Sequence, residues 1–351
     1  MRNSVKWEAI MKKRNTRYFF MLTLSVLLIF FSDGCTKENK ELTPQHPEGL
    51  YRGINLGNAL EAPDEGDWGV VLEEEYFELI GDKGFDFVRI PIRWSAHAEE
   101  SPPYIINPEF FERIDWAINQ ALSRNLSAII NIHHYNGIME NPSDHKSRFL
   151  SLWEQIAEHY SDYSKNLYFE ILNEPHDNLT HTLWNQYLKE AILIIRETNP
   201  DRLIIVGPTD WNSLDELDLL SIPEEDTNII VTFHYYEPFH FTHQGVEWVD
   251  GSEEWLGTEW RGTVLDKEAI RKDLDDATRW AENHNRTILL GEFGSYNKAD
   301  MDSRVRWTDF IAREAEKRDI AWAYWEFCAG FGIYNPDTEE WRDRLLQALI
   351  P

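Results

Sequence analysis

Eight short apolar runs recur along this chain, roughly 25–60 residues apart, and amphipathic helical stretches lie between them. The runs are Gly53–Leu56, Phe87–Ile90, Ala128–Ile132, Tyr168–Leu172, Leu203–Val206, Ile229–Phe233, Ile288–Leu290 and Ala321–Tyr324. Short, near-continuous runs of this kind suit a parallel sheet buried on both faces, because each crossover helix covers the sheet it returns to. The segment Pro108–Ser123 has Asn107 as its N-cap, Pro108 in its first turn, and Phe111, Ile114, Ile118 and Leu122 at helical spacing. Leu183–Thr198, Glu268–Asn283 and Asp302–Lys317 follow the same pattern. Eight βα units in about 300 residues predict an α/β chain folded as a single (β/α)8 TIM barrel. The competing fold, a doubly wound sheet, calls for a Gly-rich phosphate turn after an early strand, and none is present.

The barrel is expected to begin at residue 50. Before it, Lys12, Lys13, Arg14 and Arg17 precede an apolar run from Tyr18 to Phe31. That run is about 14 residues long, whereas a membrane-spanning helix needs about 20. Residues 1–34 therefore read as a signal peptide, with a short membrane anchor as the alternative. Cys35, directly after Ser32-Asp33-Gly34, resembles the lipidated cysteine of a bacterial lipoprotein signal, and ordinary cleavage nearby stays open. Residues 35–49 are a polar tether, and 50–351 the catalytic barrel. Cys328 is the only other cysteine, so a chain lipidated or cleaved at Cys35 holds no intramolecular disulfide, and a core must stabilise it.

Formal charge is −28, and residues 1–34 contribute six Lys/Arg against two Asp/Glu, which leaves the remainder near −32. Such a chain repels nucleic acid and anionic lipid, so no nucleic-acid partner is expected and membrane association only through an N-terminal lipid. A neutral ligand fits better. Fifteen Trp, many beside Gly and charged residues where loops fall, suit stacking on the apolar faces of sugars.

Active sites of such barrels lie at the C-terminal strand ends. Here seven of the eight ends carry polar or aromatic groups: Asn55 to Asn58, Arg89 with Trp94, His133-His134-Tyr135, Asn173-Glu174-Pro175, His234-Tyr235-Tyr236, Glu292, and Trp325-Glu326. Glu174 and Glu292, on the fourth and seventh strands, would face each other across the mouth. A carboxyl pair about 5–5.5 Å apart supports retaining glycoside hydrolysis, while about 6.5–9.5 Å implies inversion. One carboxyl must hold a proton and the other must be ionised, so their environments must differ.

The ordered motifs Arg89-Ile90-Pro91, Asn131-Ile132-His133-His134, Leu172-Asn173-Glu174-Pro175, His234-Tyr235-Tyr236, Gly291-Glu292-Phe293-Gly294 and Tyr324-Trp325-Glu326 resemble glycoside hydrolase family 5. Arg52 to Pro63 and Phe241 to Gly245 are similar to its bacterial endo-β-1,4-glucanases. The resemblance implies that Glu174 is the acid/base and Glu292 the nucleophile. It also implies a cis peptide after Trp325. Substrate contacts are expected from Arg89, which would keep Glu292 ionised, from Asn173 on the sugar 2-OH, and from His133, His134, His234, Tyr236 and Trp325. Asn58, Glu61 and Glu326 are expected to offer polar contacts to flanking sugars. Trp211, Trp248 and Trp255 are candidate stacking platforms, with loop packing as the alternative.

No cofactor is expected. His133 and His134 are neighbours that point to opposite faces of a strand, so they do not readily share a metal, and no His-Glu-x-x-His helix is present. The expected partner is a β-1,4-linked glucan polysaccharide or oligosaccharide, with mannan, or both, as the alternative. A non-catalytic carbohydrate receptor and a transglycosylase are further readings. A monomer, secreted or held at the bacterial surface, is the default expectation.

Overall fold

The computed structural model describes residues 46–47 and 49–351. The signal peptide 1–34, Cys35 and most of the expected tether lie outside the described residues. Eight parallel strands close into one barrel: β1 Arg52–Asn55, β2 Phe87–Ile90, β3 Ser127–Asn131, β4 Leu167–Glu170, β5 Ile204–Val206, β6 Ile229–His234, β7 Thr287–Phe293 and β8 Ala321–Tyr324. Each strand pairs with its sequence neighbours, and β1 pairs with β8. This is the expected (β/α)8 barrel, with eight strands in the expected places and shifts of one to a few residues at their ends.

The helices fall where the apolar spacing puts them. Pro108–Ser123 matches residue for residue, and the Asn107 side chain accepts from Glu109 N at 2.9 Å. The other long ones are Pro142–His159, His181–Thr198, Val264–His284 and Met301–Glu316. Val264–His284 starts four residues before the expected Glu268, because Thr263 and Asp266 close a capping box there. After β5 the crossover is reduced to a 3-10 turn, Leu214–Leu219, so that unit departs from the regular pattern.

Alternation along the strands separates two layers of core. Outward residues such as Ile54, Val88, Ile130 and Phe169 pack against the helices. Inward, Leu50, Phe87, Ile129, Tyr168, Ile205, Ile230 and Leu289 fill the barrel floor. Gly53 is required here, since a Cβ on it would stand 2.2 Å from the Phe87 ring. Leu50 plugs this floor, His46 Nε2 lies 3.1 Å from Asp319, and the His46 ring stacks on Tyr51 at 4.7 Å. Part of the expected tether is thus packed beneath the barrel, at the end opposite the strands' C-termini.

One strand breaks the alternation. The register of β7 slips between Leu290 and Phe293 against β8, and at Phe233/His234 against β6. Leu290 and Phe293 both join the outer core although three positions separate them. A bulge of this kind re-aims a side chain, and here it turns Glu292 into the barrel. Gly291 makes room for it, because a Cβ there would meet Thr232 Oγ1 at 2.4 Å.

Candidate active site

Above the apolar floor the barrel interior becomes polar. Asn55 of β1, Arg89 of β2, Asn131 of β3 and Glu170 of β4 are all buried and inward-facing. Arg89 organises them. Its Nε and Nη2 donate to the two oxygens of Glu170 at 2.5 and 2.7 Å. Nη1 donates to Asn55 Oδ1 at 2.8 Å and to Glu292 Oε1 at 2.6 Å, and Nη2 also reaches Asn173 Oδ1 at 2.7 Å. Guanidinium has five N–H donors and no acceptor, so all five are used. The same fact orients Asn173: its Oδ1 faces Arg89 and its Nδ2 is left for the cleft.

Glu292 receives a second donor, Tyr236 Oη, at 2.8 Å on Oε2. Glu174 lies four residues past the end of β4 with φ of 48°, and its Oε1 is 2.7 Å from His234 Nδ1. Asn212 Nδ2 lies 3.2 Å from the other nitrogen of His234. A donor at Nε2 leaves the proton on Nδ1, from which neutral His234 donates to Glu174. Burial favours that neutral form by lowering the His234 pKa to about 4. One oxygen each of Glu174 and Glu292 and a ring nitrogen of His234 lie within 4.8 Å of one another.

The two carboxyls differ in their surroundings. Burial raises Glu174 to about 7, against lowering by His176 and Arg89. Burial also raises Glu292, and there His234 and Arg89 oppose it. Glu292 has two direct donors, one of them a fixed cation, whereas Glu174 has one neutral donor. These surroundings favour the ionised form more strongly at Glu292 than at Glu174.

Trp325 stands half-buried at the end of β8, and the Trp325–Glu326 bond is cis, as expected. Its ring is parallel to that of His133, with centroids 5.8 Å apart and 6° between planes. His134 stands at 87° to His133 and edge-on to exposed Trp68, 5.4 Å away. Tyr236 leads through Phe331 to exposed Trp248, which also meets Tyr296 edge-on at 5.5 Å. Trp211 is half-buried and stacks on His176 at 4.7 Å, and Trp255 stacks on His240 at 4.3 Å.

The chain is related to known proteins over nearly all of this barrel. Residues 51–330 match the family model "Cellulase (glycosyl hydrolase family 5)". The chain belongs to glycosyl hydrolase family 5. This family 5 chain is 39% identical over 304 residues to Endoglucanase H of Acetivibrio thermocellus, a match covering 85% of this chain and 32% of that protein. It is 30% identical to Endoglucanase B of Clostridium cellulovorans, over 85% of this chain and 73% of that one. The chain thus spans about a third of the first curated relatives it matches, 32% of one and 36% of the next. Among solved structures it resembles endoglucanase Cel5A of Thermotoga maritima, with 53% identity, a TM-score of 0.85, and coverage of 86% of this chain and 98% of that one.

Two expected sugar contacts are corrected by the geometry. Glu61, 1% exposed, accepts the amides of Asn58 and, at 3.0 Å, Ala59. Glu326, 0% exposed, accepts those of Cys328, Ala329 and Phe331 at 2.7–3.0 Å. Each carboxylate holds its own loop rather than facing the cleft, because the turning amides have no other partners. Asn58, half-buried with φ of 65°, is part of the loop that Glu61 ties. Sequence reasoning also passed over Glu170, Asn212 and Trp68. Glu170 did leave a signal: it and Arg89 are opposite charges that each interrupt an apolar strand.

Proposed function

We propose that this chain is a retaining endo-acting hydrolase of β-1,4-linked glucan, with Glu174 as acid/base and Glu292 as nucleophile. The observation that carries the reading is that an oxygen of each carboxyl lies within 4.8 Å of the other, nearer the separation of about 5–5.5 Å of double displacement than that of about 6.5–9.5 Å, which leaves room for a water. Glu174 gives its proton to the leaving oxygen while Glu292 attacks the anomeric carbon, forming a glycosyl ester. Glu174, now ionised, takes a proton from water, and that water displaces Glu292 from the sugar. Arg89 and Tyr236 stabilise the carboxylate of Glu292 as it leaves, and hold it in line beforehand. Asn173 Nδ2 donates to the sugar 2-OH, Trp325 floors the reacting subsite, and His133 and His134 border it. No step calls for a metal, and chelator should leave the rate unchanged; loss of hydrolysis would overturn that.

Trp68 and Trp248, exposed and linked by ring contacts to His134 and Phe331, supply stacking surfaces for flanking sugars of a long chain. Trp211 and Trp255 are lesser candidates, since each is already stacked on a histidine. The reading extends to export, on the basic and apolar pattern of residues 12–31, and to a lipid on Cys35 that would leave the enzyme at the cell surface.

A second reading, activity on mannan as well, is favoured by one finding. Cel5A of Thermotoga maritima, at 52–53% identity, has been solved both with cellobiose and with mannotriose. The test is a product profile on carboxymethyl-cellulose, glucomannan and pure mannan. Rapid loss of viscosity on the first two alone supports a glucanase, and comparable cleavage of mannan supports the dual reading. No cleavage of any of the three would overturn both.

A further inference from the structure

Glu170 is the one charged side chain of the inner barrel with no place in the mechanism above. It is 1% exposed and lies one turn of chain below Glu174, and both its oxygens accept from Arg89. A guanidinium only donates, so a carboxyl gripped through both oxygens is the anion. Arg89 therefore faces two carboxylates, at 2.5 Å from Glu170 and 2.6 Å from Glu292. One cation is thus shared between two anions, one of which belongs to the catalytic pair, and Glu170 offsets its charge from below.

From this sharing we infer that Glu170 is a positioning residue that tunes the working pH: it offsets the charge of Arg89 and so favours the protonated form of Glu174. The inference rests on the catalytic assignment proposed above. Without Glu170, the full charge of Arg89 would act on both catalytic carboxyls and favour their ionised forms. The direction agrees with the repulsion that Glu170 exerts on Glu174, which raises its pKa. Other groups facing this centre are Asn55 from β1, His133 past β3, His176 beyond Glu174, and His234 and Tyr236 from β6. Of these, burial keeps His133 and His234 neutral and Tyr236 protonated, so among them none replaces the lost negative charge. Glu170 also grips the Arg89 face whose Nη2 orients Asn173, so it positions that amide indirectly.

The test is the pH dependence of kcat/KM for Glu170→Gln and Glu170→Asp on a cello-oligosaccharide, whose leaving sugar needs the proton of Glu174, beside the unaltered enzyme. In Glu170→Gln both limbs of the bell should move to lower pH by about one unit, the scale of a single nearby charge. Glu170→Asp draws the charge back by one methylene, and its limbs should move the same way by less. Limbs that stay in place, or move up, in whichever variant folds would overturn the inference, even where kcat falls. A structural role alone lowers kcat or stability without moving the limbs. Failure of the catalytic assignment looks different: a Glu292→Ala variant with Glu170 intact would then keep turning over.

Discussion

Arg89 Nη1 and Glu292 Oε1 are 2.6 Å apart, although 203 residues separate them in sequence. The contact joins β2 to β7 through the barrel interior, where neither group meets bulk water. A fixed cation at that place keeps a buried carboxylate charged and aimed at the cleft, which is what an attacking group needs.

Replacement of Glu292 by Ala should abolish turnover and leave oligosaccharide binding in place. The substitution deletes the proposed attacking oxygen but none of the sugar contacts proposed for Asn173, Trp325 and the histidines. Calorimetric titration with a cello-oligosaccharide, alongside a rate assay, checks both halves. An unchanged rate would sink the assignment.

Glu174 should set the alkaline limb of the pH profile. Its pKa is raised to about 7 by burial, and the protonated form is the active one, so kcat/KM should fall as pH rises through about 7. Glu174→Gln should lose about 10²–10⁴-fold on substrates with poor leaving groups. On an aryl glycoside, whose leaving group needs no proton, the first step should be much less affected. A limb that persists unmoved in Glu174→Gln would assign it to another group.

Arg89→Met should destabilise the fold as well as the chemistry. Glu170 and Glu292 would both remain buried with their cation gone, and uncompensated buried charge typically costs about 3–5 kcal/mol. Arg89→Lys should recover little, since an ammonium has three donors in place of a planar fork of five. Denaturant unfolding at neutral pH measures the loss. At lower pH, where the orphaned carboxyls take up protons, the gap from the unaltered protein should narrow.

The exposed tryptophans should matter only for long substrates. Trp68→Ala and Trp248→Ala should each raise KM on a soluble β-glucan by about two- to tenfold, the range of one lost aromatic contact. Hydrolysis of an aryl cellobioside should change little. Equal losses on short and long substrates would point instead to a disturbed reaction centre.

Much of this protein is legible in its residues alone. The alternation of buried strands with amphipathic helices calls for a parallel sheet covered on both sides, and the lack of a Gly-rich phosphate turn favours the barrel over the doubly wound sheet. The chemistry of strand ends then locates Glu174 and Glu292. What the tertiary structure alone decided is where side chains point and which partners they find. By simple alternation from inward Leu289, Glu292 would face the helices, and the bulge at Gly291 turns it inward. Glu61 and Glu326 sit beside the site in sequence yet turn into their own loops, since unpaired turn amides recruit them first. Glu170 meets Arg89 across 81 residues, and no local pattern encodes that distance. Periodicity is a property of neighbours in the chain, so it shows in the sequence; the sharing of one buried cation between two strands exists only once the barrel has closed.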